Sequence, residues 1–81
     1  MSNIENEIKI LLNLFNSAKF DILISKAKKL IKKAPEYLIL YNILGSAYQN
    51  KGDLKLAKET FIKGYKMEPN NIAIMNNLAN V

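Results

Sequence analysis

A chain of 81 residues makes one domain, and with no cysteine and no histidine it lacks disulfides, thiol chemistry, the commonest general base and the commonest metal ligand. The formal net charge is +5, and all 12 basic residues are lysines, so the guanidinium fork preferred for phosphate and guanine edges is missing. No apolar run approaches the roughly 18 residues of a membrane span. Glu5 and Glu7 give the first residues the wrong charge for a secretory or mitochondrial targeting segment, so a cytoplasmic protein is expected.

Residues 4–15 read as an amphipathic helix: Ile4, Ile8, Leu11, Leu12 and Phe15 share one face at helical spacing. Ile10 and Leu14 widen the apolar arc to roughly 200°, twice the stripe of an ordinary surface helix, which predicts contacts on two sides. After a short turn, a second helix is expected over residues 20–33. Phe20, Leu23, Ala27, Leu30, Ile31 and Ala34 face inward, and Lys26, Lys28, Lys29, Lys32 and Lys33 lie opposite. Pro35 ends it.

A third helix is expected over residues 37–50, with no charge between its ends. Leu40, Tyr41, Ile43, Leu44, Ala47 and Tyr48 form its apolar arc, and Asn42, Ser46 and Gln49 a polar stripe at i, i+4, i+7. Gly52 suits a left-handed stop and Asp53 a cap for the fourth helix, residues 54–67, which should bury Leu54, Ala57, Phe61, Gly64 and Tyr65. Pro69 and two asparagines form the next turn, and a fifth helix is expected over residues 72–81. Short connections predict antiparallel neighbours.

The prolines at 35 and 69 define a period of 34 residues (69 minus 35), the period of stacked helical hairpins. Within it, Tyr41, Leu44, Gly45, Tyr48, Ala57, Phe61 and Pro69 fall at the spacing of the tetratricopeptide repeat, which residues 38–71 resemble, with Tyr41 where the family usually has Trp. One period earlier the apolar pattern persists, but Leu11 and Leu23 stand where Gly45 and Ala57 allow close helix approach. One period later Leu78 and Ala79 overlie Leu44 and Gly45, and the sequence stops at Val81. The expected fold is therefore all-α: a single repeat domain over residues 1–81, comprising a degenerate repeat at 4–37, a full one at 38–71 and a truncated, capping one at 72–81. The resemblance implies an α-α solenoid of about two and a half hairpins with right-handed superhelical twist. The ending suggests a piece of a longer protein.

Catalysis is poorly supplied. The seven carboxylates fall at helix ends or on polar faces, no serine has a histidine partner, and the three glycines are isolated, so neither an enzyme nor a cofactor or metal site is expected. Tyr41, Leu44, Gly45, Tyr48, Ala57 and Phe61, with Pro35 and Pro69, read as structural.

The resemblance implies that the first helix of each hairpin lines a concave, ligand-binding surface. Mapped through the period, that surface holds Ile8, Leu12 and Phe15, then Asn42, Ser46 and Gln49, then Asn76, Asn77 and Asn80. It would be apolar at one end and amide-rich at the other, and amides can both donate to and accept from a peptide backbone. Ile8 and Leu12 occupy positions where chaperone-tail-binding members carry Lys and Asn, so that ligand mode is excluded; an asparagine ladder is interrupted at Ile43. The expected partner is a protein or peptide. The alternative is a homo-oligomer formed through the apolar first helix or the open C-terminal edge, with residues 1–3 or a second copy covering the apolar column. Nucleic acid is not expected, because no aromatic residues interleave the lysines of the second helix.

Overall fold

The computed structural model describes residues 3–81. Five helices follow in order: α1 Ile4–Asn16, α2 Phe20–Lys33, α3 Leu38–Lys51, α4 Leu54–Met67 and α5 Ile72–Ala79. They form an all-α stack in which each helix packs on the next, and α3 also touches α1 and α5. Four ends differ from the sequence expectation: α1 runs one residue further, to Asn16, α3 one further, to Lys51, and the start of α3 and the end of α5 also move. Tyr37 precedes α3 as its cap residue, and α5 stops at Ala79, with Asn80 as cap.

The turns show why the chain breaks where it does. Gly52 adopts φ +88°, its N–H bonds the Gln49 carbonyl, and the Asp53 N–H bonds that of Tyr48 at 2.9 Å. This is a Schellman-type stop, which needs a left-handed residue. One period earlier the same pair of bonds recurs: Ala18 N–H to Phe15 and Lys19 N–H to Leu14. There the left-handed residue is Ala18, φ 57°. The helix ends before the prolines also match: Ala34 (φ −140°, ψ 70°) bonds Leu30, and Glu68 (φ −141°, ψ 83°) bonds Gly64. Side-chain caps start the last two helices. Asp53 accepts from Leu56 N–H and Asn71 from Ile74 N–H.

The core centres on α3, which buries Leu40, Tyr41, Ile43, Leu44, Gly45, Ala47 and Tyr48. Its largest interface is with α4. Phe61 is fully buried there, and its ring occupies the space a Gly45 side chain would take: a Cβ would lie 2.6 Å from Phe61 Cδ1 and 2.7 Å from Cζ. Gly64 plays the same part toward α5, where a Cβ would meet Ile74 Cδ1 at 2.9 Å. In the first hairpin Leu11 and Leu23 are both fully buried, and the α1–α2 interface is much smaller than α3–α4. Leucines in place of glycine and alanine hold these helices apart, leaving a cleft of about 280 Å³ beside Ile10 and Leu30.

Two residues expected inside α4 are instead exposed: Leu54 and Tyr65. Leu54 opens the helix beside the turn. Tyr65 lies on an edge that the eight-residue α5, leaning on Gly64 through Ile74, does not cover.

Two substitutions test this account. Gly45→Ala should cost about 1–3 kcal/mol through overpacking against Phe61, seen as a thermal midpoint lowered by roughly 4 °C or more; an unchanged midpoint would show that the ring is not held there. Ala18→Gly should raise stability, because a non-glycine residue in the left-handed region costs on the order of 1–2 kcal/mol. Chemical denaturation measures the gain, and a loss would contradict the shared turn geometry.

Candidate ligand-binding face

The three columns singled out in the sequence lie on α1, α3 and α5, and α3 touches both other helices. On α1 the columns divide by burial. Ile8 and Phe15 are half-buried against the core, and Leu12 is 42% exposed. The Phe15 ring sits edge-on to Phe20 of α2, centroids 5.4 Å apart at 75°, the geometry aromatic pairs prefer. Phe15 thus closes the first hairpin as well as facing the column, and Leu12 is the side chain most available to a ligand. Of the residues 1–3 that could cover this column, Met1 and Ser2 lie outside the described residues, and Asn3 is the exposed cap residue of α1.

On α3, Asn42, Ser46 and Gln49 are half-buried; on α5, Asn77 is half-buried and Asn76 exposed, and the cap residue Asn80 is exposed too. The structure joins the two stripes directly. Asn77 Nδ2 donates to Asn42 Oδ1 at 3.2 Å, and Gln49 Nε2 donates to the Asn80 carbonyl at 3.2 Å. Two amide side chains therefore tie α5 to α3. This was not legible in sequence: the partners are 35 residues apart, one more than the period, and only the packing of α5 selects Asn77 over Asn76. What remains on this face is the Asn42 amide hydrogens, the Asn77 amide oxygen and the Ser46 hydroxyl. These are donors and acceptors spaced along a helix and suited to a peptide backbone. Next to Ser46, Asn50 Nδ2 donates to the Ser46 carbonyl at 2.8 Å.

Among the described residues, no group of three or more acidic, histidine or cysteine side chains could hold a metal ion, and no helix is long and apolar enough to cross a membrane. The one ion pair among the described residues links Lys51, at the end of α3, to Asp21, at the start of α2. Hydrogen bonding to Asp21 is the main cause that holds the Lys51 ammonium pKa above its ordinary 10.5. Burial first, then the Asp53 charge, raises the Tyr48 hydroxyl above its ordinary 10.0.

Both shifts favour the protonated form in the folded state. Each contribution is complete below the unfolded value and is lost as pH rises through the folded one. Stability should therefore decline above about pH 10, where tyrosine and lysine ionise. Tyr48→Phe should decline less steeply than the wild type in denaturation measured across that range; parallel curves would show that Tyr48 ionises freely in the fold.

Comparison with family models places a tetratricopeptide repeat at residues 38–71. Comparison with curated proteins and with solved structures gave no significant match.

Proposed function

Because the chain carries a tetratricopeptide repeat at residues 38–71, the mark of a protein-interaction module, we propose that it binds a peptide or partner helix on the face shared by α1, α3 and α5. That face is the concave side of a stack of repeats at 4–37, 38–71 and 72–81. The repeated bonds at Ala18 and Gly52, and the matching ends at Ala34 and Glu68, support this division. The module works by recognition alone, without a cofactor. The observation that carries the reading is the uncharged stripe of Asn42, Ser46 and Asn77 on α3 and α5, joined by the Asn77–Asn42 bond, with Leu12 exposed on α1, which also packs on α3. An apolar side chain of the partner settles near Leu12, and its backbone runs along the free amide groups. Few interface residues dominate binding energy, and a central apolar anchor is the usual one.

A second reading has its own support: Ile72 and Met75 are exposed on α5, so the C-terminal edge could take a second copy of the chain.

Leu12→Asp separates partner binding from folding, since Leu12 is exposed, whereas changes at Phe15 also break the pair with Phe20. Peptides selected on the wild-type chain should lose at least tenfold in affinity for Leu12→Asp, with an unchanged melting temperature. Unaltered affinity would remove the reading. Light scattering should give a monomer; a dimer that Leu12→Asp dissociates would assign the same surface to self-association.

A further inference from the structure

Helices α2 and α4 both pack on α3, yet no Cα atom of one comes within 8 Å of the other. The space between them is a trough of about 360 Å³. Its floor is Leu44 and Tyr48 of α3, one wall carries Lys28 and Lys32, and the other carries Leu56 and Lys63. At 100° per residue, these floor residues and the Asn42 stripe are centred roughly 150° apart on α3, so the trough is a separate surface. It lies between the two hairpins, and a further repeat stacked on either end would leave it open.

Its chemistry is one-sided. Lys28, Lys32 and Lys63 make no ion pair among the described residues, and Glu59 is the one carboxylate lining the trough. Leu56 is 38% exposed above the apolar floor. Tyr48 is only 8% exposed as a residue, but its hydroxyl, which has no hydrogen-bond partner among the described residues, reaches solvent and can donate to an anion. Unpaired ammonium groups around an apolar floor complement a segment that is acidic and carries an apolar side chain. Base stacking has no platform here, since the floor tyrosine is buried.

We propose that the trough between α2 and α4 is a second docking surface, taking an acidic peptide segment that anchors an apolar side chain on Leu44 and Leu56 between Lys28, Lys32 and Lys63. The peptide carboxylates pair with the lysines, and the Tyr48 hydroxyl donates to one of them.

The test is fluorescence anisotropy with a fluorescein-labelled peptide of about 12 residues, rich in glutamate with leucine at helical spacing, and a counterpart with glutamine for every glutamate. The glutamate peptide should bind, more weakly as salt rises, and the glutamine peptide should not. Lys32→Glu and Leu56→Ser should each weaken binding at least tenfold, and Tyr48→Phe by a smaller factor. Lys58→Glu makes the same charge change on the opposite side of α4 and should leave affinity within about twofold. Equal losses in Lys58→Glu and Lys32→Glu would reduce the effect to net charge and overturn the proposal. So would equal binding of the glutamine peptide, or no binding of the glutamate peptide. A double-stranded oligonucleotide that binds with Lys32→Glu sensitivity, where the glutamate peptide fails, would overturn it in favour of nucleic acid.

Discussion

The fold turns on one close approach: the Phe61 ring lies where Gly45 has no side chain. Omitting a Cβ lets α3 and α4 come near enough for a fully buried phenylalanine to fill the interface between them. Protein interiors pack at crystal-like density, so such an interface admits little adjustment. Once α4 is fixed on that side of α3, the positions of the others follow. Helix α2 packs on another side of α3, and α5 joins α4 through Gly64 and Ile74. The amide bonds from Asn77 and Gln49 then set α5 against α3.

The first hairpin shows what happens without the small residues. Leu11 and Leu23 stand at the positions of Gly45 and Ala57, and both find full burial, but across a smaller interface. The turn between these helices still has the geometry of the later one, with Ala18 held at φ 57° where Gly52 sits at φ 88°. The same backbone plan is thus built twice, once with residues that suit it and once with residues that strain it. Phe15 against Phe20 closes the looser hairpin, and Lys51 against Asp21 ties it to the next one.

A helix surrounded on several sides still has gaps between its neighbours, and the two surfaces proposed for recognition lie beside such gaps on α3. One is the amide stripe that α3 shares with α5; the other lies between α2 and α4 and is lined by lysines over an apolar floor. They differ in chemistry because the flanking helices do. Helix α5 has no lysine and α1 has one, Lys9, whereas α2 carries five and α4 four.

The helices and their order are legible in the chain alone. Apolar spacing, two prolines 34 residues apart, Gly52 and the Asp53 cap are local signals, and they act through backbone sterics and nearest-neighbour hydrogen bonds. It also carried the repeat at residues 38–71, because glycine and alanine at fixed spacing encode a close approach. Tertiary structure alone decided which amides are spent and which are free, since Asn77 rather than Asn76 reaches Asn42. It alone exposed Leu54, beside the turn that opens α4, and Tyr65, on an edge of α4 that α5 does not cover. And it alone opened the trough beside Tyr48, a residue whose spacing marks it as core. Periodicity fixes which side of a helix is apolar; where neighbouring helices leave a gap over that side depends on distances between segments far apart in the chain.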